Sequence, residues 1–253
     1  MDCIVLAGGR PARGDALWPE TQGRQKALID IAGRPMIRWV LDALAASRHI
    51  DRVIVVGLEH RIDAPGSVEY VADEGSLVGN LYAGIGRVRA DRPAAYCWSD
   101  IPLVTGAIAD RFIEGTSDAE LDVNAGLVPK AAIQGRYPGA EDLWLRLADG
   151  WFIAADFGLF NPRHAARLKP HLERLVPQRK HAFRQALYVG LPLLVSFALG
   201  RLTRAGLERH LARRFDLRCH VRIAEDPELG LDVDSPGTLA ICREVLAKRA
   251  RGA

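Results

Sequence analysis

The chain has 253 residues, 49% hydrophobic and 26% charged, a composition that can bury a core and excludes a disordered polypeptide. Its formal net charge of +3 is too small to argue for nucleic acid as a partner. A single α/β domain of this length is ordinary.

Residues 2–7 read as a buried strand: the run Cys3-Ile4-Val5-Leu6-Ala7 stops at Gly8-Gly9. Five apolar residues do not make a signal peptide, so a cytoplasmic location is the expectation. The loop 8–25 carries Arg10, Arg13 and Gly14 and is too polar and too rich in Gly and Pro for regular structure. Lys26 follows, then a second apolar run, Ala27-Leu28-Ile29. Pro35 is read as the first-turn residue of a helix whose apolar face is Met36, Ile37, Val40, Leu41 and Leu44. Arg52 to Gly57 is a second strand, continuous and β-branched, as in a sheet covered on both faces. Val68 to Val71 is a third, Ser76 to Val88 a helix, Ala94 to Trp98 a fourth strand, and Val104 to Ile113 another helix. This alternation predicts an open α/β sheet with ligands beyond the carboxyl ends of its strands. Gly8-Gly9 and Asp100 both lie at such ends.

The second half gives weaker signals. Leu121 to Pro129 and Trp151 to Asp156 read as strands. The stretch 163–184 holds seven Lys and Arg and only one acid, Glu173. Ala186 to Leu199 is apolar but too short to span a bilayer, which takes about 20 residues. The plainer reading makes it a core segment; the other makes it, with its basic neighbour, a surface that meets a membrane or a lipid-linked substrate. Arg204 to Phe215 is a helix and Arg218 to Ala224 a strand. Ser235 is placed to cap the last helix and Pro236 to fill its first turn. The four cysteines, Cys3, Cys97, Cys219 and Cys242, are scattered and read as small buried hydrophobes.

Four places carry chemistry. Paired glycines after a buried strand let backbone N–H groups approach an anion, and nearby cations neutralise it, so residues 6–14 suit a phosphate. Lys26 sits between a polar loop and an apolar run, where it can swing over the glycines as a point charge; otherwise it is a solvated surface lysine. Arg13 is the second cation and Arg10 the third. Asp100 ends an apolar strand, where a carboxylate needs a partner, either a metal ion or the backbone of the next helix. Asp232 and Asp234 flank Val233, so an extended chain points them the same way; alternatively they only favour the helix N-terminus that follows.

Together these residues resemble a known superfamily. Leu6-Ala7-Gly8-Gly9 and the run from Lys26 to Ile37 are similar to the signature of nucleotidyltransferases with a glycosyltransferase-A-like fold. That group includes sugar-1-phosphate nucleotidylyltransferases, the molybdenum cofactor guanylyltransferase and the cytidylyltransferase of isoprenoid synthesis. Gly75 to Asn80 resembles the segment that contacts the base. Ser99-Asp100-Ile101-Pro102 and Asp232-Val233-Asp234-Ser235-Pro236 resemble the two metal-binding motifs. The loop departs from the compact subfamily pattern, which puts Ser-x-Arg-Met-Gly after the glycines; here Arg10-Pro11-Ala12-Arg13-Gly14-Asp15 follows.

The resemblance implies a three-layer α/β/α fold with a mostly parallel, Rossmann-like sheet. It implies one NTP-transferase domain over 1–253, with an acceptor or lid region at about 130–225. The implied reaction moves a nucleoside monophosphate from a nucleoside triphosphate to a phosphorylated acceptor and releases pyrophosphate. Leu6, Ala7, Gly8, Gly9, Gly79 and Asn80 are the implied nucleotide contacts, with Lys26 and Arg13 on the triphosphate. The implied Mg²⁺ sits on Asp100 and Asp234, with Asp232 in reserve. The alternatives are a nucleotide-sugar-dependent glycosyltransferase on the same fold and a non-catalytic nucleotide-binding subunit.

Overall fold

A computed structural model of the chain describes residues 1–116, 121–140, 142–176, 188 and 190–252. The first strand, β1 (Asp2–Leu6), is buried along its whole length. Its side chains alternate between two apolar layers: Cys3 and Val5 enter one, Ile4 and Leu6 the other. Burial on both faces explains why the run is continuously apolar, each such Ile, Val or Leu contributing about 1.5–3 kcal/mol. β4 (Arg52–Val56) and β6 (Ala94–Trp98) flank β1 in parallel, and β5 (Val68–Val71) pairs with β4 in the same sense.

The loop after β1 contains a one-turn helix, α1 (Trp18–Thr21), which its polar composition did not predict. Pro19 in its first turn accounts for it, since proline there loses no hydrogen bond. Next come the two-residue strands β2 (Asp30–Ile31) and β3 (Arg34–Pro35), paired with each other. Pro35 therefore ends a strand and caps α2 (Met36–Ala45), instead of opening its first turn. α3 (Leu77–Ile85) is capped by Ser76, and α4 (Gly106–Glu114) by Thr105, each accepting a bond from the backbone N–H three residues on.

The rest of the sheet uses β7 (Val123–Pro129), β8 (Leu145–Leu147), β9 (Gly150–Ala154), β10 (Phe157–Phe160) and β11 (Cys219–Ile223). The main sheet has nine strands, in the order β5-β4-β1-β6-β10-β7-β9-β8, with β11 also on β7. Most run the same way; β10 and β9 oppose them. β9 and β10 are two parts of one bent strand. Leu127 faces Ala154 and Asn124 faces Leu159, so three steps along β7 match five along its partner. The two extra residues form a bulge around Ala155 and Asp156.

α2, α4, α5 (Lys130–Arg136) and α9 (Pro236–Gly252) give their apolar side chains to one layer. α3, α6 (Ala165–Leu175), α7 (Leu191–Ala198) and α8 (Arg204–Phe215) lie on the other face. There the Tyr82 hydroxyl of α3 donates to the Ala165 carbonyl at 2.6 Å, and the His171 ring of α6 lies 4.7 Å from the Phe215 ring of α8. The result is a three-layer α/β/α fold on a mostly parallel, Rossmann-like sheet. All four thiols are free, and Cys219 is the one that is only partly buried.

Two readings of the second half change. The central strand β10, too short at four residues to show a period, is absent from the sequence reading. The apolar run at 186–199 is not a core segment: over its described helix, α7, no side chain is buried. Residues 186, 187 and 189 of that run, and residues 177–184 of the basic stretch, lie outside the described residues. Among the described residues no helix is long and apolar enough to cross a membrane.

Candidate active site

Three backbone hydrogen bonds draw distant stretches to one edge of the sheet. The Ser99 N–H donates to the Leu6 carbonyl at 3.2 Å, the Lys26 N–H to the Gly9 carbonyl at 2.9 Å, and the Val233 N–H to the Asp100 carbonyl at 2.9 Å. The carboxyl ends of β1 and β6, the Lys26 turn and the segment before α9 thus meet in one place.

The glycine turn is tightly packed on one side and open on the other. A Cβ on Gly8 would lie 2.7 Å from Asn80 Nδ2, whereas one on Gly9 would meet nothing within 4 Å. Asn80 is buried, and its amide donates to Asp73 Oδ1 at 2.9 Å and accepts from the Glu74 N–H at 2.7 Å. It thereby holds the 73–76 turn against Gly8. Gly79 N–H bonds the capping Ser76 hydroxyl at 3.0 Å. Buried Gln25 supports the same wall from behind, donating to the Gly57 carbonyl and accepting from the Glu59 N–H.

Lys26 points its side chain at two carboxylates. Its ammonium donates to Asp100 Oδ2 at 2.7 Å and also to Asp234 Oδ1. One carboxylate oxygen from each of Asp100, Asp232 and Asp234 lies within 4.8 Å of the others. The second oxygen of Asp100, Oδ1, is buried and has no hydrogen-bond partner among the described residues. A buried acceptor left in this way carries a desolvation cost of about 1–3 kcal/mol or more unless a ligand meets it.

The electrostatics follow from crowding. Burial opposes the Lys26 charge, but Asp100 and Asp234 outweigh it and hold the ammonium above its ordinary range. Burial, then Asp234 and Asp100, push the Asp232 carboxyl up to about 8. Asp156, at the bulge between β9 and β10, belongs to the same field. Burial and then Asp100 and Asp232 raise its carboxyl well above the usual range. Its backbone carbonyl accepts from the Trp98 N–H at 2.9 Å, fixing it beside the end of β6.

Asp156 was missed from sequence. The available signal was the one that singled out Asp100, a carboxylate closing an apolar run. Arg13 stands apart from the acidic group: it is exposed, with its guanidinium carbon 5.9 Å from the centre of the Trp18 ring. Arg10 pairs with Glu59 at 3.0 Å.

The MobA-like NTP transferase domain matches residues 3–216 of this chain. The chain belongs to that family. Nucleotidyl transfer is accordingly its class of chemistry. The matched part of this MobA-like NTP transferase includes Gly8, Lys26, Asp100 and Asp156 and stops short of Asp232 and Asp234. A hypothetical transferase from Thermus thermophilus is 32% identical, with a TM-score of 0.80 over 94% of this chain and 98% of that one. A CMP:2-keto-3-deoxy-manno-octonic acid synthetase, solved with CTP, has a TM-score of 0.58 over 98% of each chain. At 16% identity that likeness is one of fold. The bifunctional protein GlmU of Methanococcus maripaludis is 30% identical over 83 residues, 30% of this chain and 19% of that protein. This chain thus matches less than a fifth of the length of that curated relative.

Proposed function

We propose that this MobA-like NTP transferase moves a nucleoside monophosphate group from a nucleoside triphosphate to a phosphorylated small-molecule acceptor. The supporting observation is the Asp100 carboxylate: it is paired with Lys26 on one oxygen, unpartnered on the other, and grouped with Asp232 and Asp234. An acceptor phosphate oxygen forms the new bond to the α-phosphorus as the bond from that phosphorus to the β-phosphate oxygen breaks. Pyrophosphate leaves with the electron pair. The attacking oxygen is already anionic at neutral pH, so no strong general base is needed, in keeping with a site built from one ammonium and several carboxylates. The chain's part is positioning and charge neutralisation.

The open face of Gly9 supports the reading that backbone N–H groups approach the triphosphate there. Lys26, and Arg13 from the exposed loop, are assigned to triphosphate oxygens. The oxygen donors of Asp100, Asp234 and Asp232 fit Mg²⁺, a hard cation held by one or two carboxylates together with substrate phosphates. When bound, that ion supplies charge neutralisation across the phosphates. Asp100 and Asp234 are assigned as the ligand pair, since Lys26 already draws both carboxylates together, with Asp232 in reserve. The acceptor is assigned to the 130–225 region, next to the bulge at Asp156.

The test is pyrophosphate release on adding each NTP, Mg²⁺ and a panel of sugar and alcohol phosphates. It is run beside thermal shift with each NTP alone, where a ligand at 100 times its Kd adds about 2.7 kcal/mol. Release with at least one pair is expected. Absence of both release and any NTP-dependent shift overturns the assignment.

A further inference from the structure

α7 turns its apolar residues outward. Leu191, Val195 and Leu199, four residues apart, are 65%, 48% and 60% exposed. Pro192 and Ala198, also exposed, complete that face, which carries no charged residue. Leu193 points the other way and packs on the cluster containing Leu147, Phe152 and Leu202. So the helix is anchored from below, and its outer face is a contiguous aliphatic surface of the kind that marks an interaction site.

The charge around it is one-sided. From residue 200 to 216 the chain holds Arg201, Arg204, Arg209, Arg213 and Arg214 against Glu208 and Asp216, in a chain whose net charge is only +3. Arg201, just after α7, and Arg209 and Arg213, on α8, are exposed and pair with no acid among the described residues. Gly190, before α7, lies against His210 of α8, and the Leu202 carbonyl, after α7, accepts from the Ala148 N–H at the tip of the β8–β9 hairpin. α7 is therefore tied at its start to a basic helix and just past its end to the hairpin that leads to the Asp156 bulge.

We propose that α7 and its basic surroundings dock on an anionic lipid bilayer. α7 lies in the plane of the interface, with Leu191, Val195 and Leu199 at the headgroup–acyl boundary and the arginines on lipid phosphates. Charge complementarity selects this occupant. In a two-fold dimer the same patch would face itself and bring two basic surfaces together. Single-stranded nucleic acid would match the charge, but its bases stack on aromatic platforms, and Leu191, Val195 and Leu199 offer none; the aromatic side chain of α7, Phe197, is 41% exposed but stands one turn from Leu193, on the side of the helix away from them.

Flotation of the full chain with vesicles tests this. Binding is expected to vesicles of 30% phosphatidylglycerol in phosphatidylcholine. It is expected to fall at least ~10-fold on pure phosphatidylcholine and in high salt, where the Debye length drops toward about 3 Å. Leu191→Ser with Val195→Ser and Leu199→Ser should weaken binding at least ~10-fold. Arg209→Glu with Arg213→Glu should do the same, since each cation near an anionic surface is worth about fivefold. The second variant leaves the apolar face intact and carries the test if the first fails to fold. An unchanged thermal midpoint shows that the fold survives, and the vesicle readout is independent of nucleotide turnover. No binding to anionic vesicles, or equal binding by folded variants, overturns the proposal, as does a dimer that the serine variant abolishes without any vesicle binding.

Discussion

Asp100 is divided between two environments: Oδ2 accepts from the Lys26 ammonium at 2.7 Å, while Oδ1 is buried with no partner among the described residues. Lys26 divides its donors between Asp100 and Asp234, and one carboxylate oxygen of Asp232 lies within 4.8 Å of theirs. On the proposed function, a cation taken up by this group meets the free oxygen of Asp100. Asp100→Ala should lower turnover by at least ~10²-fold, about 2.7 kcal/mol of transition-state stabilisation. Steady-state pyrophosphate release measures it. Near-normal turnover would sink the metal assignment.

The glycine turn offers a contrast within two residues. Gly9→Ala adds a methyl into open space, so the thermal midpoint should hold while the KM for the NTP rises at least several-fold. Gly8→Ala pushes a methyl to 2.7 Å from Asn80 Nδ2 and should lower stability and nucleotide binding together. If Gly9→Ala leaves the KM unchanged, the phosphate-cradle reading of this turn is wrong.

Asp232 sets a pH dependence. Its carboxyl goes from an ordinary 3.8 to about 8 in the folded chain. Between those values the native state holds a proton that the unfolded state has released, so stability falls as pH rises through the window. Below it both states are protonated, and above it both are ionised. In metal-free buffer the melting temperature should decline from pH 5 to 8. Asp232→Asn should flatten that decline and melt higher than the parent at pH 8. An identical slope in the variant contradicts the argument.

Asp2 predicts the opposite sign at the far end of β1. It is buried; burial opposes its charge, but hydrogen bonds from Arg89 and Arg52 win and lower its carboxyl to about 2. Here the unfolded state binds the proton first, so the stabilisation is full above pH 3.8 and disappears as pH falls through 2. Asp2→Asn should cost about 2 kcal/mol at neutral pH, from a shift of nearly two pK units. Denaturant unfolding at pH 7 and pH 2.5 should show the difference narrowing in acid.

Much of this was legible in the residue order. Continuous apolar runs mark β1, β4 and β6 because both faces of those strands are buried, and the glycines, Lys26, Asp100, Asp232 and Asp234 stand out as polar residues at the ends of such runs. The membership of Asp156 was decided by tertiary structure. Its place beside Asp100 depends on a two-residue bulge in the pairing of β9 and β10 with β7, which is a property of two partners and not of one segment. Lys26 belongs to the same class, since its side chain meets carboxylates 74 and 208 residues away. The apolar run at 191–199 is the clearest case. Its composition suits a core or an interface equally, because transfer out of water is non-directional, and only packing against Leu147 and Leu202 on one side left its other face outside.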